Sequence, residues 1–294
     1  MAENEKAEVR YLGIRHRIKQ TKKGEAHPTE ICISVLDERQ ILKLEDEQAE
    51  LDFLLGCFPV KWRAVKEGED LSGFREHHIE RDKDGKPKRV PVLYEGLKSA
   101  DRVGMMLGGS GDYFSYALAR QGEKIGAEVY RIPPFLLKEK RGSDDTANDA
   151  GLLAGLLERE SSLFYPVYLR ERVQIGVREL LKVRIDAMKA RIACEQRLRQ
   201  RLVGEIFCNP EGMYPEGALE KIFNERRAND RILIALEEEE RFAEKKLTKA
   251  VEQLSIYEAL RKEVKGFGPM IATRLICAIQ DIRRFSTAAK LKAF

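Results

Sequence analysis

Apolar and polar positions along this chain follow two different periods. Between residues 9 and 45 the segments VRYLGI, EICISVL and QILKLE are strand-like runs rich in Val, Ile and Leu, which predicts three β-strands. Turn-forming residues separate them, in KKGEAHP and at Asp37 in DER, so an antiparallel meander is expected. EDEQAELDFLLGCF then has helical spacing, with Leu51, Leu54, Leu55 and Phe58 on the side expected to be buried. Further on, RVGMMLG predicts a buried strand, DYFSYALARQG a helix, AEVYRI a strand and TANDAGLLAGLLERE a second helix. Hairpins followed by β–α–β units describe a mixed sheet with helices on its faces. Residues 66–91 interrupt this pattern. They are dense in charge and turn formers, and read as an exposed hairpin around Asp84 and Gly85 or a flexible insertion.

From residue 168 to 206 the pattern changes to one long amphipathic helix without proline. Its apolar stripe is Val173, Val177, Leu180, Leu181, Ile185, Met188, Ile192, Leu198 and Leu202, close to a heptad spacing. CNPEGMYPEG breaks it, and a second helical run is expected over about 219–264. Two long helices joined by such a turn make a helical hairpin or coiled-coil arm.

Composition narrows the function classes. Charged residues make up 35% of the 294 and the mean hydropathy is −0.44, so much of the chain is solvated surface or helical arm. Lys and Arg number 53 against 49 Asp and Glu, a balance too even to argue for nucleic acid by itself. Its distribution matters more. Residues 170–205 carry ten basic side chains, Arg184 and Arg191 among them, against five acidic ones, and most of the ten are arginines, which fork onto phosphate. EEEER at 237–241 reads as a solvated face of the second arm, or as the salt-bridge partner of the first. The five cysteines, at 32, 57, 194, 208 and 277, include no Cys-x-x-Cys pair. They read as small buried apolar residues of a reducing compartment. With neither a signal-type N-terminus nor a bilayer-length apolar run, a cytoplasmic protein is expected.

Near the C-terminus VKGFGPMIATRL sets two glycines and a proline between helical stretches. Glycines let a backbone approach a ligand closely, Pro269 suits the first turn of a helix, and that helix's free N–H groups face an anion. The spacing fits a helix-hairpin-helix in which Gly266 and Gly268 clasp a phosphate while Lys265 and Arg274 add charge. A tight turn without a ligand fits it equally.

VKGFGPMIATRLICAIQDIRRFSTAAKLKAF resembles the C-terminal region of the DEDD insertion-sequence transposases, the IS-one-ten group and its Piv invertase relatives. Gly266, Gly268, Pro269, Ala272, Asp281, Arg284 and Phe285 fall on matching positions. MLGGSGDYFSYALARQGEKIGAEVYRIPPFLLKEKRGSDDTANDAGLLAGL is similar to the family's N-terminal half, so the resemblance covers most of the chain. It implies an RNase H-like (RuvC-like) domain over 1–163, a coiled-coil arm over 164–262 and a truncated helix-hairpin-helix region over 263–294. It also implies DNA recombination guided by an element-encoded RNA. The family's catalysis uses an Asp-Glu-Asp-Asp tetrad holding divalent metal, with a serine that would fall beyond Phe294.

This chain departs from that tetrad. Arg15 stands where the first Asp belongs, Gly108 replaces the Glu, and Thr146 replaces the third ligand; Asp149 alone stays in register. Asp145, four residues before Asp149, shares its face if both lie on one helix, and otherwise caps the helix start. The resemblance therefore implies a catalytically impaired transposase-family protein binding DNA and a guide RNA, with Mg²⁺ at Asp149 and Asp145 only if active. The alternative is a nuclease-dead nucleic-acid-binding regulator or accessory subunit, or a decayed fragment that only dimerises. Its nucleic-acid contacts would be Lys265, Gly266, Gly268, Arg274, Arg283, Arg284, Arg184 and Arg191, and a homodimer or higher oligomer would form through the arm. EHHIE at 76–80 reads as a polar loop, because adjacent histidines point to different sides of a helix or strand.

Overall fold

The computed structural model describes residues 9–17, 26–36 and 38–294. The first eight residues, the start of the KKGEAHP turn and Asp37, with the turn role assigned to it, lie outside the described residues. The chain clusters into two compact units, Met1–Tyr168 with Asp281–Phe294, and Leu169–Gln280.

A mixed six-stranded sheet organises the first unit. The meander is β1 (Tyr11–Arg15), β2 (Thr29–Val35) and β3 (Glu38–Leu44), antiparallel throughout, with Gly13 opposite Cys32 and Ile31 opposite Leu42. Next come α1 (Glu47–Leu54) and β4 (Phe58–Ala64), a strand that the sequence pattern did not predict. With β5 (Glu80–Arg81) and β6 (Pro87–Glu95), β4 forms a separate antiparallel sheet in the order β4-β6-β5. The hairpin reading of 66–91 thus holds for β5 and β6, whose turn closes with the Gly85 N–H donating to the Asp82 carbonyl. The chain then returns to the main sheet through β7 (Arg102–Met106), parallel to β1. α2 (Asp112–Ile125) leads to β8 (Glu128–Ile132), parallel to β7; α3 (Pro134–Arg141), α4 (Asp149–Arg159) and the edge strand β9 (Tyr165–Pro166) follow. The sheet order is β3-β2-β1-β7-β8-β9.

Leu12, Ile14, Ile31, Leu44, Phe53, Met105 and Leu118 belong to one core cluster, and Ile132, Leu137, Leu153 and Leu157 to another. α1 corrects the expected stripe. Leu54 and Phe58 pack against the core as expected, but Leu51 and Leu55 are exposed, and the fully buried side chains are Phe53 with the acids Glu50 and Asp52. Both acids are buried because each meets its own partners, Thr29 for Glu50 and His77 and His78 for Asp52.

The second unit is helical. α5 (Leu169–Phe207) runs 39 residues as its stripe predicted, and Val177, Leu181, Leu198 and Leu202 are buried along it. Ile192 is exposed instead. The second run is not one helix but three: α6 (Leu219–Asn229), α7 (Arg231–Glu252) and α8 (Ser255–Glu263). Asp230 makes the first break, its side chain accepting from the Leu233 N–H to start α7. α9 (Pro269–Ile279) buries Ala272 and Ile276 in a cluster with Val177, Leu181, Leu247 and Tyr257. The stretch 263–294, read as one region, divides between the units, because Asp281–Phe294 cluster with the sheet. All five cysteines are free; only Cys32 is buried, and Cys208, just past α5, is exposed rather than core. No described helix is long and apolar enough to cross a membrane.

Candidate functional site

Gly13 decides where α4 sits. A Cβ there would stand 2.0 Å from the Ala150 carbonyl oxygen and 2.3 Å from the Ala154 nitrogen, so only glycine lets α4 lie directly on β1. That contact sets Asp149, the first residue of α4, near Arg15 at the end of β1. Parallel to β1, β7 runs into the turn Gly108–Gly111, where Gly108 (φ 86°) and Gly109 (φ 79°) hold left-handed backbone. The two strand ends, α3 and α4 enclose a cavity of about 250 Å³. Ile14, Met105, Leu137 and Leu153 contribute apolar lining; Arg15, His16, Gly108, Ser110, Arg141, Thr146 and Asp149 supply polar atoms or open backbone.

Asp149 is buried and held in a two-pronged ion pair. Arg141 donates from Nε to Oδ1 at 2.7 Å and from Nη2 to Oδ2 at 3.0 Å. Burial pushes this carboxyl above its ordinary pKa, and the charges of Arg141 and Arg15 only partly offset it. Arg15 pairs with Glu30 at 2.9 Å, and its buried Nε has no hydrogen-bond partner. Each guanidinium at this cavity is thus paired with a carboxylate, Arg141 with Asp149 and Arg15 with Glu30, and neither carboxylate is free.

Such a lining does not fit Mg²⁺. A hard dication wants several free oxygen ligands, and here it would have to displace Arg141 and face Arg15. Asp145 supplies no second ligand. It is exposed, and it neither shares a helix face with Asp149 nor caps the helix, since α4 begins at Asp149 after Asn148. Its Oδ1 accepts from the Ala147 N–H at 2.9 Å, which closes a local turn instead.

A hydrogen-bonded chain that the sequence did not suggest borders the cavity. His16 Nδ1 lies 3.0 Å from Ser110 Oγ, and His16 Nε2 lies 3.2 Å from Glu50 Oε1. Thr29 Oγ1 donates to the same Glu50 oxygen at 2.6 Å, and Arg17 pairs with it at 3.2 Å. Burial raises the Glu50 pKa, but the hydrogen bonds from His16 and Thr29 outweigh it, so the carboxyl lies below its ordinary range.

The basic residues singled out in the sequence meet different fates. Arg184 and Arg191 both pair with Glu240 of α7, and Arg184 also pairs with Glu244, 3.1 Å away. They tie α5 to α7, as the salt-bridge reading of EEEER anticipates, and are not loose cations. Lys265 and Arg274 are exposed and pair with no described residue. They flank the turn between α8 and α9, where Gly266 (φ 77°) needs a left-handed backbone and Gly268 caps α9 with open space beside it. Arg283 forks onto Asp281 at 2.9 and 3.0 Å and stacks 4.5 Å from the Tyr165 ring centre. Asp281 also feels the buried Arg131. Arg284 lies over Phe285 and Phe294.

The expectation that the adjacent histidines diverge is overturned. A single 3-10 turn, Glu76–His78, sets both rings against Asp52, with centres 4.2 Å apart. No family model matches this sequence, and neither does any curated protein.

Proposed function

We propose that this chain is a nucleic-acid-binding protein of the DEDD transposase type, with an RNase H-like domain that grips nucleic acid without cutting it. One observation carries the reading. Arg15, Gly108, Thr146 and Asp149 come from separate stretches of sequence, each matched to a tetrad position by the resemblance, and all four line one cavity. A chance resemblance would give no reason for four such positions to converge. The mixed sheet, with its meander followed by β–α–β units, is the architecture that the resemblance implies.

The chemistry of the pocket then follows from its substitutions. Replacing three metal-ligand positions with a guanidinium, a glycine and a hydroxyl removes the charge that would hold two divalent ions. Arg141 takes the remaining carboxylate. What is left offers a metal no free carboxylate, while the unpartnered Nε of Arg15 can donate to a phosphate. In the helical unit Lys265, three residues before the open backbone of Gly268, and Arg274, in the second turn of α9, are exposed cations of a partial helix-hairpin-helix suited to the phosphate backbone.

Fluorescence anisotropy with duplex, branched and single-stranded DNA and with structured RNA tests the reading. Binding whose affinity falls steeply with salt, as neutralised phosphates release counterions, supports it. Absence of binding to any of these at low salt would refute it and leave only the dimerising fragment.

A further inference from the structure

We propose that Asp52, His77 and His78 form a binding site for a first-row divalent transition ion, Zn²⁺ foremost, with a water in the fourth position. One donor atom from each residue lies within 4.8 Å of the other two. Asp52 Oδ2 is 2.8 Å from His78 Nε2, and Asp52 Oδ1 is 3.1 Å from His77 Nε2. Donors bound tetrahedrally to zinc stand about 3.3 Å apart, and the two Asp52–histidine separations lie within about half an ångström of that. Two imidazoles and one carboxylate suit borderline ions far better than Mg²⁺ or Ca²⁺.

His78 is 2% exposed, and its Nε2 is the ring nitrogen that faces Asp52. His77 Nε2 and Gln48 Nε2 lie 3.2 Å apart, and both approach the same Asp52 oxygen. An ion accepting lone pairs from His77 and Asp52 would take the place of the His77 contact to that oxygen. Among the neighbours, Arg75 Nη1 is 3.7 Å from Asp52 Oδ1 and half-exposed, free to turn outward. Cys57 Sγ, also 3.7 Å from Oδ1, donates its thiol proton there and stands outside the three-donor group. The His77 side chain is 41% exposed, which gives an ion its entry path and the bound water its place.

Such an ion would fasten α1 to the loop preceding β5, and so anchor the small β4-β6-β5 sheet. The inference stands apart from the nucleic-acid reading and does not use it.

Metal-stripped full-length protein titrated with ZnCl₂ in a calorimeter tests it, with Co²⁺ absorption as the coordination probe. The expected result is one ion per chain, the visible bands of four-coordinate cobalt, and a higher melting temperature with zinc. His77→Ala removes a half-exposed ring that the fold does not need, and Asp52→Asn removes the central carboxylate. Each should weaken zinc binding about a hundredfold or more while circular dichroism reports an intact fold. Uptake no greater in the wild-type chain than in His77→Ala, or cobalt spectra of a six-coordinate aquo ion, would overturn the site.

Discussion

Asp149 and Arg141 hold opposite charges in a half-closed cavity, and removing either one has unequal consequences. Arg141→Ala leaves the Asp149 carboxylate buried beside Arg15, which is already engaged with Glu30, and is expected to cost about 3 kcal/mol of stability. Asp149→Asn removes a group whose ionisation the fold disfavours, and frees Arg141 to reach solvent; it should cost no more than about 1 kcal/mol. The sign follows from linkage. With its folded pKa raised above the ordinary 3.8, Asp149 opposes folding above that value and ceases to do so as pH falls through its folded pKa. Urea denaturation of both variants at neutral pH checks the asymmetry; equal losses would contradict it. At this scale Arg15, Gly108, Thr146 and Asp149, singled out in the sequence by the resemblance, line one cavity. Arg141 was not legible, since its partner depends on how the end of α3 meets the start of α4. Nor was the pairing of His16 with Ser110, which joins residues 94 apart in sequence.

Among the elements, the seat of α4 on β1 governs the cavity. Gly13→Ala puts a methyl group against backbone atoms 2.0 and 2.3 Å away, which no side-chain rotation can relieve, and should destabilise the first unit by about 3 kcal/mol. Thermal denaturation followed by circular dichroism reads this. In the arm, Arg184→Ala and Arg191→Ala break ties to Glu240, so each should lower stability by about 1 kcal/mol and leave nucleic-acid affinity unchanged. Lys265→Ala and Arg274→Ala should do the reverse: weaken binding about equally for all sequences, and reduce the salt slope by about 1 per residue if each neutralises one phosphate. Strands β1–β3, β7 and β8 and the length of α5 were readable because apolar pattern reports one-sided burial directly. α1 was misread for the same reason: its buried face is largely acidic, and the groups that neutralise it lie on other elements. The break between α6 and α7 follows from Asp230 acting as a cap, a local signal that the apolar pattern passed over.

For the molecule as a whole, acid sensitivity should come from buried and half-buried carboxylates held below their ordinary values. Burial raises Glu50, Glu95 and Asp281, but hydrogen bonds outweigh it: from His16 and Thr29 to Glu50, from Lys98 and Arg10 to Glu95, and from Arg283 to Asp281. Depressed folded pKa values contribute stability that is complete above the ordinary 4.5 for Glu and 3.8 for Asp, and is lost as pH falls through the folded values. The melting temperature should therefore hold between about pH 7 and 5 and drop below about pH 4. A flat profile down to pH 3 would contradict those pairings. The proposed function rests above all on reading this fold as a nucleic-acid-cutting scaffold in which Arg15, Gly108 and Thr146 stand where metal ligands would. Incubating the purified chain and its Asp149→Ala variant with branched DNA and Mg²⁺ or Mn²⁺ addresses this directly. Salt-sensitive binding with no nicking by either protein is expected; metal-dependent nicking by the wild-type chain that disappears in Asp149→Ala would contradict it.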